Sequence, residues 1–371
     1  MFYYLTLARN VALGHGATAD GENATNGFHP LWVIVLVPLF RLLHNGAEPQ
    51  WALVLLTLFS VSTAWFIYKI LRFSCGEIPS FVAAVIWLGS PYTVLITLSG
   101  VEAPLFVLLA SAAVCFYLKI AGKGAVRNAP LSQWIFLGVL MGAAVLARID
   151  GALLAAIVFL DGLIGKRGNA TPWRKRFTQA CFYGVACAFV TLPWFIWSYS
   201  KTGLLFQMSG KAIYHQQHVI FWSQYRDVGA MSYFIGWCAN LFANARAAMR
   251  SITVLCGVSP GILLIAVLLF ALLLIIISVR NRPLAADWLK RSAAFSFLYA
   301  YGLIVFVLYS AYLWYSQDWY YYSMVFVGCI AAGCLFDLLD GWLILSPARY
   351  LRSGLWAVFL ACVVFIFSRQ C

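Results

Sequence analysis

The chain has 371 residues, 63% of them hydrophobic and only 10% charged, with a mean hydropathy of +0.87. No soluble domain of this size keeps such a surface dispersed in water, so composition makes it a polytopic membrane protein. The formal charge of +13 would suit a nucleic-acid partner only if the Lys and Arg formed a binding face, and their distribution along the chain speaks for membrane topology instead.

Backbone polar groups in lipid must be satisfied within the chain, and the long Leu/Ile/Ala/Phe runs lack the short alternating segments of barrel strands. The expected fold is therefore all-α. The first segment is polar and rich in turn residues. It reads "NATNGFHPLW" at 23–32 and passes into the apolar run Leu31 to Leu43, too short for a hydrocarbon core that takes about 20 residues to cross. Ten later segments are long or apolar enough to be read as spans: 51–72, 79–98, 104–121, 132–147, 151–165, 179–200, 259–280, 293–314, 319–339 and 353–369. The pair flanking Arg148 is short and should end against protein rather than lipid.

Charge sets the orientation. With the connections at 73–78, 119–131, 166–178, 281–292 and 340–352 on the cytoplasmic side and helix-end residues counted on the nearer side, 16 of the 25 Lys and Arg fall there, "KRGNATPWRKR" at 166–176 most densely. If 31–43 crossed the membrane, every later connection would invert against its charge. It is therefore expected to lie along the outer surface as a juxtamembrane helix. The implied division is an extracytoplasmic first loop at 1–50, a transmembrane core at 51–200, an extracytoplasmic loop at 201–258 and C-terminal spans at 259–371. In this topology the active face of a multi-pass cell-membrane protein points outward, and all five His lie on that face.

Polar residues are scarce, so their positions carry information. "SGVEAP" at 99–104 leaves Glu102 at the outer membrane edge, and "ARIDG" at 147–151 does the same with Arg148 and Asp150. These groups suit a helix cap and a local ion pair. They equally suit two carboxylates and an arginine facing one cavity, where a guanidinium can grip a phosphate with two parallel hydrogen bonds. "QMSGKAIYHQQH" at 207–218 brings Lys211, His215 and His218 onto one stretch, readable as a weak metal pair, a cation cluster for an anionic headgroup, or an interfacial helix with snorkelling side chains. In "YLWYSQDWYYY" at 312–322 an aromatic belt accounts for the Trp and Tyr, whereas Gln317 and Asp318 add amide and carboxylate groups that suit a sugar ring. The ten Cys show no CxxC spacing; Cys238 and Cys256 fall in one outer loop and could pair.

The order "FYYLTLARNVALGHG", "TNGFHPLW", "LSGVEAPLF", "LARIDGALL", "WYSQDWYY" resembles the GT-C superfamily of membrane glycosyltransferases, over nearly all of the chain. It is closest to bacterial members similar to arabinofuranosyltransferases and, more distantly, to aminoarabinose transferases and protein O-mannosyltransferases. The resemblance implies a polyprenyl-phosphate-linked sugar donor and transfer to an acceptor hydroxyl of a cell-envelope glycan, lipid or protein. It also implies an extracytoplasmic site and an inverting single displacement. It places Arg9, His29, Glu102, Arg148, Asp150, Lys211, His215, Gln317 and Asp318 around the substrates, with Arg148 and Lys211 as the leading phosphate partners. Members of the family usually carry a first helix ending in an acidic pair directly before the stretch that matches "FYYL", one acid being the base. Here the chain starts at Met1, so the base is expected upstream of it. The sequence assigns no cofactor, a divalent metal is compatible with the chemistry, and the expected partners are membrane lipids and substrates, not nucleic acid. Two other functions fit the same features: a non-catalytic or truncated relative that binds lipid-linked sugar, and a transporter or flippase of such a lipid, which should show internal symmetry that is not evident.

Overall fold

The computed structural model describes residues 2–43, 46–121, 129–164, 172–210, 212, 215, 238, 260–312, 318–345, 350, 352, 354–358 and 361. Among the described residues there are helices and turns but no strand, only one isolated bridge between Thr18 and Ala24 in the first loop.

Two short helices begin the chain, α1 (Phe2–Ala12) and α2 (Pro30–Leu42). Then come α3 (Glu48–Leu71), α4 (Glu77–Gly89), α5 (Pro91–Leu98), α6 (Ala103–Ala121), α7 (Leu131–Ala147), α8 (Gly151–Ile164) and α9 (Trp173–Thr202). The remainder forms α10 (Pro260–Arg280), α11 (Arg282–Ser292), α12 (Ser296–Tyr312) and α13 (Tyr322–Leu345), with single 3-10 turns at Ala293–Phe295 and Asp318–Tyr321. Proline punctuates the helix starts: Pro30, Pro91 and Pro260 each open a helix, where the missing N–H costs nothing.

Among the described residues five helices are long and apolar enough to cross a membrane: Glu48–Leu71, Ala103–Ala121, Trp173–Thr202, Arg282–Tyr309 and Trp319–Leu345. The segment at 79–98, expected as one span, is two helices bent by 47°. The cause is Ser90–Pro91. Pro91 forbids helical geometry at the residue before it, so Ser90 turns extended and its hydroxyl caps Thr93 N–H. The helices flanking Arg148 are short, as their sequence suggested, at 17 and 14 residues. The expected span at 353–369 lies almost wholly outside the described residues. α1 was not foreseen; α2 matches the expected juxtamembrane helix to within a residue at either end.

α6 sits at the centre, with 67% of its apolar window buried, whereas α9 is peripheral with 17%. The most extensive helix contact is α7 on α9, and glycine explains how close it is. A Cβ at Gly138 would collide with the Tyr183 carbonyl, so these backbones touch only because that atom is missing. Between helices in lipid, apolar contact gains little over lipid contact, and such close packing becomes a main source of cohesion. α9 ends at Gly203, whose φ of +71° closes the helix with a left-handed cap. By helical rise it is about 45 Å long, more than a bilayer core requires. That length carries its last turns up beside the first loop.

Candidate active site at one end of the bundle

The site is assembled from five connections and two helices, α1 and α12. Gly100, at φ +74°, reverses the chain between α5 and α6, a conformation that an L side chain resists. Its carbonyl accepts from the indole N–H of Trp32 at 3.3 Å, which fixes α2 against this turn. Glu102 follows directly and is buried. A second turn, between α7 and α8, holds Arg148 and Asp150, also buried.

The Arg148 guanidinium is shared. Its Nη1 donates to Glu102 Oε1 at 2.7 Å, its Nε to Asp150 Oδ1 at 3.1 Å and its Nη2 to the Tyr309 hydroxyl at 3.5 Å. The Tyr320 ring lies against the cation, 5.6 Å from centroid to Cζ. Burial opposes the Arg148 charge, but Asp150 and then Glu102 outweigh it and hold its pKa above the ordinary value. One guanidinium therefore serves two carboxylates.

His29 caps the start of α2 with an extended backbone, and its Nε2 is 3.4 Å from Glu102 Oε1. Burial pushes its pKa below the ordinary 6.5, Glu102 resists and Arg148 adds to the fall, so the imidazole is neutral at pH 7. For Glu102, burial alone would raise the pKa, yet His29 when it is protonated and Arg148 throughout bring it below the ordinary value. With His29 neutral, Arg148 is the partner that keeps this carboxylate ionised. Tyr4 of α1 lines the cavity beside the same carboxylate, and burial followed by the Glu102 charge raises its pKa well above normal.

These groups border a cavity of about 330 Å³. Its polar wall is Tyr4, His29, Glu102, Arg148 and Gln207; its aromatic wall is Tyr309, Trp319 and Tyr320. Glu102 is the only carboxylate among the described residues lining it, and Asp150 stands behind Arg148. Among the described residues no group of three or more His, Cys, Asp or Glu could hold a metal ion.

Of the residues expected at the site, His29, Glu102, Arg148 and Asp150 are thus brought together. Arg9 is exposed on α1 and is not part of the cavity wall. His215 is exposed. Asp318 opens the 3-10 turn whose next two residues line the cavity. Lys211 and Gln317 lie outside the described residues, as does Cys256, the expected partner of Cys238. Sequence reasoning missed Tyr4 and Gln207. The only signal for Gln207 was its place at the head of "QMSG", a stretch whose charged members drew attention first.

Residues 28–197 match the family described as dolichyl-phosphate-mannose-protein mannosyltransferase. No curated protein matches the chain. Two solved structures share its fold. The crystal structure of ArnT from Cupriavidus metallidurans bound to undecaprenyl phosphate aligns with a TM-score of 0.56 and 17% identity, over 92% of this chain and 57% of that one. The same protein in its apo state aligns with a TM-score of 0.52 and 15% identity, over 90% and 54%. The likeness at these identities is one of fold, and the chain spans a little over half the length of those proteins.

Proposed function

We propose that this protein, a GT-C superfamily chain by its fold and by the family match over residues 28–197, moves a sugar from a polyprenyl-phosphate donor to an acceptor hydroxyl on the extracytoplasmic side of a cell membrane. The observation that carries the reading is the cavity itself: a buried Glu102–Arg148–Asp150 ion cluster faced by Trp319, Tyr320 and Tyr309. Charged and amide groups opposite aromatic faces suit a sugar, whose hydroxyls hydrogen-bond while its C–H faces stack.

Charge divides the labour among the residues. One guanidinium against two carboxylates leaves the described ion cluster, Asp150 behind the wall included, with a net charge of −1 when His29 is neutral. Such a cluster attracts hydroxyls more than phosphate. Arg148 then orients Glu102 and contributes its remaining N–H groups, while phosphate recognition falls mainly to Lys211, which follows the cavity residue Gly210 in sequence. The displacement is inverting: a carboxylate base takes the acceptor's hydroxyl proton as its oxygen attacks the anomeric carbon, the bond to the lipid phosphate oxygen breaks, and cations stabilise the charge on the departing phosphate. The acceptor is a glycan, lipid or protein hydroxyl.

A second reading, binding of lipid-linked sugar without transfer, is favoured by one observation. Glu102 is held ionised at a lowered pKa by Arg148, which makes it a weak base. Incubating purified protein with a labelled polyprenyl-phosphate sugar separates the two: transfer releases lipid phosphate. Retention of the donor with no release over any acceptor supports the binding protein. No retention by the wild type, with Glu102→Gln no different, rejects both.

A further inference from the structure

The segment after α9 returns to the first loop and is tied there by two side chains. Asn26, fully buried, donates from Nδ2 to Ser198 Oγ at 2.7 Å and to the Phe206 carbonyl at 3.1 Å, and its Oδ1 accepts from Met208 N–H at 3.1 Å. Between those two backbone contacts sits Gln207. Its Nε2 donates to the Phe28 carbonyl at 2.7 Å and lies 2.8 Å from Nδ1 of His29.

The Phe28 carbonyl can only accept, so it fixes which end of the Gln207 amide faces the first loop: the NH2 end. The second N–H of that group then meets His29 Nδ1, which must accept. A neutral imidazole that accepts at Nδ1 carries its proton at Nε2. That is the nitrogen 3.4 Å from Glu102. Gln207 thus donates to His29 Nδ1, the Nε2 proton approaches Glu102 at 3.4 Å, and Arg148 donates to the same carboxylate from the other side.

We propose that Gln207 is a positioning residue of the site: by donating to Nδ1 it holds His29 in the Nε2–H tautomer, keeps both ring nitrogens occupied and so fixes the charged Glu102 toward the substrate. His29 in this state has no lone pair to offer an acceptor hydroxyl, and it acts through Glu102. The charged and titratable groups around the ring are Glu102 from the turn before α6, Arg148 and Asp150 from the turn before α8, and Tyr4 from α1, with Tyr309 and Tyr320 across the cavity. Replacing the donor by an acceptor inverts the arrangement. A carboxylate at 207 draws a proton to Nδ1 and turns His29 into an imidazolium between two anions.

The significance for transfer rests on the reading of the cavity given above; the tautomer does not. The experiment is nitrogen NMR of protein labelled with ¹⁵N-histidine, the His29 signal being identified by its loss in His29→Asn. In the wild type the ring should be the Nε2–H tautomer and remain neutral at pH 7, a measurement that needs no variant of Gln207. In Gln207→Glu it should titrate above 6.5, and release of lipid phosphate should acquire a pH dependence around that new pKa. In Gln207→Met, which lacks donors, the tautomer preference should weaken and kcat should fall about tenfold with KM nearly unchanged, the size of one unmet buried hydrogen bond. An Nδ1–H or protonated His29 in the wild type, or a titration unmoved by Gln207→Glu, overturns the proposal. The expected tautomer in a protein that never releases lipid phosphate sustains the positioning role and overturns the transfer reading instead.

Discussion

Two clusters of acids and arginines hold this bundle together, and they are built on opposite plans. At one, Glu102 and Asp150 share the single guanidinium of Arg148, and the cluster borders a cavity of about 330 Å³. At the other, each buried carboxylate has its own arginine, and the exposed Asp287 also meets Arg291 at 3.0 Å. Asp337 pairs with Arg291 and accepts from Gly76 N–H at 2.7 Å, and Asp340 meets Arg352 through two bonds of 2.7 Å while also accepting from Trp356. The second cluster joins α4, α11, α13 and the segment around Arg352, and every acceptor is met by a neighbouring helix or turn. It is a tie. The first leaves a carboxylate short of a full partner beside a hollow, the condition of a group with work left to do on a ligand.

The sharpest way to break the contrast is to remove the shared arginine. Arg148→Met strands two buried carboxylates and should lower stability by about 3–5 kcal/mol, seen as a fall in the Tm of the detergent-purified protein. Adding Glu102→Gln to that variant should recover part of the loss, since one stranded charge is gone. A double variant no more stable than the single one would mean that the carboxylates are hydrated from the cavity and not dependent on Arg148.

Neutralising one carboxylate in each cluster separates a working group from a tie. Glu102→Gln should reduce lipid-phosphate release by about 100-fold or more while costing only about 1–2 kcal/mol of stability, because the amide still accepts from Arg148. Asp337→Asn should cost a similar amount of stability and leave donor affinity and release unchanged. Equal functional losses from both would dissolve the distinction.

Acid should act on the first cluster through His29. Its folded pKa lies below the ordinary 6.5, so as pH falls through 6.5 the unfolded chain takes up a proton that the folded chain refuses, and stability declines. Glu102 adds to the decline lower down: its folded pKa is depressed, so its contribution is present above the ordinary 4.5 and is lost as pH falls through the folded value. His29→Gln, which does not titrate, should flatten the upper part of a Tm-against-pH curve and leave the lower part in place.

How much of this could be read from sequence differs between the two clusters in the same way. The all-helical class, the helix entering at Pro30 and the meeting of His29, Glu102, Arg148 and Asp150 in one cluster agree with apolar run length and with polar residues stranded at short turns. The order of the motifs agrees with the match of residues 28–197 to the family described as dolichyl-phosphate-mannose-protein mannosyltransferase. What stayed hidden were contacts made across long separations by residues with nothing odd about them. Tyr4 sits in an unremarked aromatic pair, and Gln207 lies 178 residues from the His29 it orients. Local reading cannot see either, because the constraint on them is a partner rather than a pattern. The bend at Ser90–Pro91 is a different case: its signal was in view, and apolar composition on both sides overrode it.

The smallest expected effect concerns the aromatic wall. Tyr320 faces the Arg148 cation from 5.6 Å, at the outer limit for a cation–π contact, and its neighbour Trp319 shares the cavity. At this distance the contact is worth about 0.5–1 kcal/mol. If the ring serves only to cover the arginine, Tyr320→Leu should cost about that much stability and leave donor affinity alone. If it also stacks on a sugar, donor affinity should fall several-fold while the undecorated lipid phosphate binds as before. A loss of affinity for both ligands alike would assign the ring to the phosphate side, and with it move Arg148 from holding Glu102 toward gripping the donor.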